Sequence, residues 1–183
     1  MLPRLLSRRL PAVEDGERGG ATTGEVEPRS DLRKRRDHSV RTGEHRFNIG
    51  LLAERLVHAT KWTRQDEQTR DLRIGYFGSS TGGGAALVAA AALPQDVGAV
   101  VSRGGRPDLA GEALPKVQAP TLLIVGGNDD IVIELNEQAR DRMRCEVKLE
   151  IIPGATHLFE EPGALERVAQ LASDWFSLHH AAK

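Results

Sequence analysis

This sequence lacks cysteine pairs for disulfides, clusters of metal ligands and runs that could span a membrane. Each absence excludes a class of protein. Its single cysteine, Cys145, excludes an internal disulfide. No set of cysteines and histidines has the spacing of a metal site, so we predict neither a metal nor a cofactor. No apolar run is long enough to span a bilayer. The basic start, residues 1–10, lacks the continuous apolar core of a signal peptide.

A strong net charge is also lacking. The formal charge of −1 at pH 7 gives no general attraction to nucleic acid or to an anionic membrane surface. We therefore predict a cytoplasmic protein that acts on a small molecule, with neither nucleic acid nor a membrane as its partner.

The charged residues are unevenly distributed along the chain. Residues 1–46 hold eleven Arg or Lys and eight Asp or Glu, with few large apolar residues and no sustained period. This composition predicts a poorly ordered or irregular N-terminal segment, followed by one domain over residues 47–183. The basic run at residues 33–36 has two interpretations, a nucleic-acid patch or a solvated stretch of tail.

The most informative pattern that is present is G-x-S-x-G at residues 78–82, centred on Ser80. The apolar run 74–77 precedes it and the small residues 83–92 follow it, which indicates a strand, a sharp turn and a helix. In that setting the pattern predicts a nucleophile elbow, with Ser80 in a strained backbone conformation and its hydroxyl presented at the edge of a sheet. Taken alone, the five residues also fit an ordinary tight turn. A P-loop is excluded because no lysine follows the glycines.

Two later loops supply the acid and the base that an activated serine needs. The apolar run 119–127 predicts a buried strand, and Asp129 follows it. The alternating run 147–152 predicts another strand, and His157 lies in the loop after it. These residues and Ser80 lie at strand ends on the same side of a parallel sheet, where ligands bind in open α/β folds.

Each of these residues also has an ordinary structural interpretation. Asp129 is a suitable cap for the helix that follows it, and Asp130 is equally suitable. His157 could make only a local hydrogen bond in its loop. The order and the strand-end context favour His157 over the other histidines, of which His179 and His180 are predicted to lie in a polar tail.

Residues 41–176 together resemble the dienelactone-hydrolase-related branch of the α/β-hydrolase superfamily. The resemblance is closest to small bacterial hydrolases that occur alone or joined to a phosphoribosyltransferase domain. The stretches that carry it are residues 41–43, 47–49, 51–56, 74–82, 100–108, 122–129 and 153–159. It implies Ser80 as nucleophile, Asp129 as acid and His157 as base, with the amide of Thr81 in the oxyanion hole. Dienelactone hydrolases proper carry cysteine at the nucleophile position, so the serine here favours a generic ester or acyl substrate.

The alternation of strands and helices predicts a three-layer α/β/α sandwich with a mostly parallel sheet, the α/β-hydrolase fold. The family has further strands before the elbow strand and a His-Gly-type loop that supplies one oxyanion amide. Neither is found before Gly75. We therefore expect an N-terminally truncated fold that lacks the early strands and has no source for that amide. The run 74–77 would then be an apolar edge, covered by a homodimer or a partner chain.

Arg103 and Arg106 follow the predicted strand that ends near Val101. They would lie at the same edge of the sheet as the proposed triad, where a guanidinium group could bind a substrate carboxylate or phosphate. The alternative is that they pair with surface acids or stabilise the turn.

The function predicted from the sequence is that of a serine hydrolase acting on an ester or other acyl substrate through a Ser-His-Asp triad and an acyl-enzyme intermediate. The alternative is a truncated, catalytically impaired module derived from a hydrolase, which acts through protein binding.

Overall fold

Four short runs rich in β-branched and other apolar residues form the strands of this protein. In the computed structural model, which describes residues 47–181, they make one sheet whose four strands are all parallel and lie in chain order. The strands are β1 (Ile74–Ser79), β2 (Val97–Arg103), β3 (Thr121–Gly126) and β4 (Val147–Ile152). Every residue of β3 is buried, as expected for a strand covered on both faces.

Helices connect the strands, close to where the sequence predicts them. They are α1 (Ile49–Gln65), α2 (Thr81–Ala92), α3 (Asp130–Arg142) and α4 (Ala164–Ala181), with a 3₁₀ segment at Pro107–Lys116. The helix α4 continues beyond its predicted end, so the expected polar tail at His179 and His180 is wrong. Both imidazoles pack against aromatic rings one turn earlier, His179 on Trp175 and His180 on Phe176, and these contacts extend the helix.

The two faces of the sheet carry separate apolar cores. Successive side chains of a strand point to opposite faces, and in β2 Val100 lies in one core while Ala99 and Val101 lie in the other. The first core holds residues from α1, α2, α3 and the 3₁₀ segment, and the second holds residues from α4. The predicted α/β/α sandwich with a parallel sheet is confirmed.

The strand β1 lies at one end of the sheet that residues 47–181 form, paired only with β2. This agrees with the prediction that the early strands of the fold are lacking in this sheet. The predicted irregular segment 1–46 lies outside the described residues. Within 47–181, no helix combines the length and apolar character that crossing a membrane requires.

The register of the sheet brings the carboxyl ends of its strands to one edge. Ser79 pairs with Arg103, and Arg103 pairs in turn with Ile124. Gly126 pairs with Ile152 on the far side of β3. The loops that follow these residues therefore open side by side, and they contain the sequence-predicted site.

A buried hydrogen bond attaches α1 to β1. The hydroxyls of Thr60 and Tyr76 lie 2.6 Å apart, and the two residues are only 3% and 5% exposed. Burial raises the pKa of the Tyr76 phenol above its ordinary value, so this hydroxyl stays protonated in alkaline solution as well as at neutral pH.

We expect Tyr76→Phe to lower the free energy of unfolding by about 1–3 kcal/mol, because it leaves the Thr60 hydroxyl buried without its partner. Urea denaturation followed by circular dichroism measures the change. The double variant Thr60→Val/Tyr76→Phe is the control, since replacing both partners should recover most of the loss. A single variant as stable as the unmodified protein would contradict this role for the hydrogen bond.

Candidate active site

Ser80 lies in the turn between β1 and α2, in a backbone conformation that is rare for residues other than glycine. Its φ is 52° and its ψ is −125°, and a conformation of this kind costs about 1–3 kcal/mol. Three backbone hydrogen bonds hold it. The Ser80 amide donates to the Arg103 carbonyl at 3.3 Å, and the Ser80 carbonyl accepts from the amides of Gly83 and Arg106, both at 3.0 Å. The strained turn that the sequence predicts is therefore present.

The small residues around Ser80 are required by the close approach of strand and helix. A Cβ on Gly78 would collide with the carbonyl oxygen of Gly82, and a Cβ on Gly83 would collide with the side chain of Ser102. The side chain of Ser80 makes no hydrogen bond to the start of α2, although the residue occupies the N-cap position. The helix thus leaves the Ser80 hydroxyl available for other contacts.

His157 and Asp129 meet at the same edge of the sheet. Nδ1 of His157 lies 2.7 Å from Oδ2 of Asp129, and the side chains are 42% and 17% exposed. Asp129 is the residue before α3 but its carboxylate does not cap the helix, and the neighbouring Asp130 is exposed in the first turn. A proton on Nδ1 donates to this carboxylate and leaves Nε2 as the acceptor, which is the tautomer that a general base requires.

The segment Arg103–Gly104 contacts both the elbow and the histidine loop. The Ser80 amide donates to the carbonyl of Arg103, the residue before Gly104. A Cβ built on Gly104 would lie 3.6 Å from Cε1 of His157 and 3.2 Å from its carbonyl oxygen. Among the residues that the structure describes, no hydrogen bond joins the Ser80 and His157 side chains. Such bonds are often long in hydrolases without substrate and shorten when it binds.

A carboxylate that sequence reasoning did not identify holds the histidine loop. The Thr156 amide donates to Oε1 of Glu161 at 3.0 Å, and hydrogen bonding from Thr156 lowers the pKa of the Glu161 carboxyl. The Phe159 amide closes the turn by donating to the Thr156 carbonyl at 3.2 Å, and the Phe159 side chain is fully buried. In sequence, Glu161 is one of two adjacent acids after His157, and no pattern distinguishes it from Glu160.

Thr81 is the first residue of α2, so its amide lies at the positive end of the helix dipole, directly after Ser80. Its place in an oxyanion hole stays a prediction.

The two arginines after β2 have different contacts. Both donors of the Arg106 fork bind Asp108, at 2.8 Å each, and this pairing raises the pKa of Arg106. The guanidinium of Arg103 contacts Ser79 and the carbonyl of Leu158. Both arginines therefore have protein partners at this edge, and substrate binding by either one stays a prediction.

A mostly apolar groove of about 370 Å³ lies beside the elbow. It is lined by Leu52, Arg55, Leu56, Phe77, Gly78, Ser79, Gly82 and Ala85. In the part of the chain that the structure describes, no three His, Cys, Asp or Glu side chains are grouped to hold a metal ion.

Comparisons with known proteins agree with this architecture. A family model described as the dienelactone hydrolase family matches residues 20–180. A crystal structure of dienelactone hydrolase from Anabaena variabilis is 60% identical, with a TM-score of 0.79 over 80% of this chain and 68% of that chain. Est1E from Butyrivibrio proteoclasticus is 16% identical, with a TM-score of 0.61 over 76% of this chain and 73% of that chain, a likeness that shows the fold alone.

Two curated relatives from Mycobacterium tuberculosis, of strains CDC 1551 and H37Rv, carry the provisional name phosphoribosyl transferase. Each is 59% identical over 133 residues, which is 73% of this chain and 30% of the relative. The chain therefore spans less than a third of the length of these relatives.

We expect Gly78→Ala to lower the free energy of unfolding by about 1–3 kcal/mol, because the new methyl group meets the backbone of Gly82, which cannot rotate away. Gly82→Ala is the matched control, since a Cβ there meets nothing within 4 Å. Urea denaturation of both variants checks the difference. Equal stability of the two variants would show that β1 and α2 are not closely packed at the elbow.

Proposed function

Because this chain belongs to the dienelactone hydrolase family, we propose that it hydrolyses an ester or other acyl substrate through Ser80, His157 and Asp129. The observation that supports this most directly is the hydrogen bond between His157 and Asp129, 2.7 Å long, at the sheet edge where Ser80 is held in a strained turn. Asp129 and His157 lie 28 residues apart in the chain, and the parallel pairing of β3 with β4 brings their two loops together.

The first half of the reaction forms an acyl-enzyme. Ser80 Oγ attacks the carbonyl carbon of the substrate while Nε2 of His157 accepts the hydroxyl proton. Asp129 accepts a hydrogen bond from Nδ1 and stabilises the resulting imidazolium. The negative charge that develops on the substrate oxygen is stabilised by the amide of Thr81. Collapse of the tetrahedral intermediate transfers the His157 proton to the leaving alcohol.

The second half of the reaction regenerates the enzyme. Nε2 of His157 accepts a proton from water, the water oxygen attacks the acyl carbon, and the proton then returns to Ser80 Oγ as the carboxylic acid leaves. This scheme consumes one water and needs no cofactor. Cytoplasmic location stays a prediction from composition.

We expect Ser80→Ala to reduce hydrolysis of p-nitrophenyl acetate by about 10⁶-fold, because no nucleophile remains. Asp129→Asn should reduce kcat by about 10⁴-fold, because the amide favours the wrong tautomer of His157. The matched control is Asp130→Asn, which changes the adjacent exposed carboxylate and should leave kcat within about twofold of the unmodified enzyme.

A fluorophosphonate probe distinguishes the nucleophile from a contaminating esterase. It should label the unmodified protein on Ser80, identified by mass spectrometry of the peptide, and should leave Ser80→Ala unlabelled. Folded protein that neither hydrolyses the ester nor takes up the probe would refute the proposal.

A second candidate is a binding module that acts through its sheet edge. The observation that favours it is the outer side of β1, where Phe77 is 51% exposed beside the apolar groove. An edge of this kind is a template for pairing with another strand. On this proposal the protein is a homodimer by light scattering, and Phe77→Lys is monomeric with unchanged circular dichroism. An unmodified protein that stays monomeric at high concentration would exclude the homodimer.

A further inference from the structure

The guanidinium of Arg103 connects the elbow to the histidine loop. Its Nη2 donates to the hydroxyl oxygen of Ser79 at 2.6 Å, and its Nη1 donates to the carbonyl of Leu158 at 3.2 Å. The same group lies over the ring of Phe159, with Cζ 5.1 Å from the ring centroid. These contacts join segments of chain that are 24 and 55 residues away from Arg103.

The residues that Arg103 contacts are direct chain neighbours of the proposed nucleophile and base. Ser79 precedes Ser80, and Leu158 follows His157. A shift of either contact therefore moves one of the two reacting side chains relative to the other. Reaction rates depend steeply on such placement, since an error of about 1 Å can cost about 10²-fold.

The chemistry of arginine suits this contact better than that of lysine. Its planar group presents several donors in a fixed fork, so that one side chain can bind two acceptors and stack on an aromatic face at once. Within residues 47–181, no carboxylate pairs with Arg103, in contrast to Arg106 and its bidentate partner Asp108. The donors of Arg103 are instead directed to a hydroxyl and a carbonyl of the two loops.

We propose that Arg103 is a positioning residue that fixes the His157 loop against the elbow, and that this, rather than binding of an anionic substrate, is its role. The inference rests on the proposed function of Ser80 and His157. The proposal gives Ser79 a positioning role as well, because the Ser79 hydroxyl accepts the hydrogen bond from Arg103 on the elbow side.

The test compares Arg103→Met with Arg103→Lys and Ser79→Ala on two substrates, neutral p-nitrophenyl acetate and the anionic mono-p-nitrophenyl ester of glutaric acid. We expect Arg103→Met to lower kcat by about 10²-fold on both esters with KM nearly unchanged, because the site is misplaced and no substrate contact is lost. Arg103→Lys should recover part of the loss. Ser79→Ala alone should lower kcat. Added to Arg103→Met it should lower kcat little further, because both changes break the same contact.

The control is Arg142→Met, which removes an exposed arginine whose partner is Glu112, at the far end of α3 from Asp129. It should leave kcat and KM unchanged on both esters. Titration with a fluorophosphonate probe gives the concentration of active protein, so that a folding defect in Arg103→Met is not counted as lost catalysis. If Arg103→Met does not fold, Arg103→Lys and Ser79→Ala carry the test.

Hydrogen exchange supplies a measurement that does not depend on activity. In Arg103→Met the Phe159 amide, which donates to Thr156, should exchange faster, while amides of β3 should not change. A selective rise in KM for the anionic ester would make Arg103 a substrate ligand and overturn the proposal, as would unchanged kcat on both esters. If the unmodified protein proves inactive, the proposed function fails on its own. Faster exchange at Phe159 would then still support the positioning role, and unchanged exchange would overturn it.

Discussion

The close approach of β1 and α2 is the constraint on which the candidate site depends. Because the two backbones nearly touch at Gly78 and Gly82, the connecting turn has no room to relax, and Ser80 takes a positive φ. The turn is then held from outside by the segment after β2, through the Arg103 carbonyl and the Arg106 amide. The Ser80 hydroxyl makes no capping hydrogen bond to α2. The strain at one residue is thus maintained by packing and backbone hydrogen bonds over several elements.

Most of the fold was predictable, because the signals for it are local. Apolar runs and small-residue runs predict the strands and helices around Ser80. Because the predicted strands are parallel, the residues that follow them, Asp129 and His157, are expected at the same edge of the sheet as Ser80. The residue pattern by itself did not distinguish Asp129 from Asp130, and Asp129 was implied only by the resemblance to the family. Both carboxylates lie at the start of α3, and it is Asp129 whose carboxylate contacts His157.

The sequence left the contacts of Arg103 and Arg106 open, between binding of a substrate anion and pairing with acids or the turn. Arg103 and Arg106 are three residues apart and chemically identical, yet one binds the elbow and the histidine loop while the other binds Asp108. No periodicity or motif distinguishes them. The end of α4 was predicted wrongly because His179 and His180 look polar in sequence, whereas each packs against an aromatic ring one turn earlier on the same helix.

The position of β1 at the end of the sheet that residues 47–181 form also has a consequence for the proposed activity. A strand with one neighbour can detach by breaking fewer interactions than a central strand such as β3, so its local opening requires less free energy than global unfolding. The proposed nucleophile follows directly from that strand. Inactivation by mild denaturant would then begin as fraying of β1 while β2, β3 and β4 remain folded, and an activity assay would understate the stability of the remaining sheet.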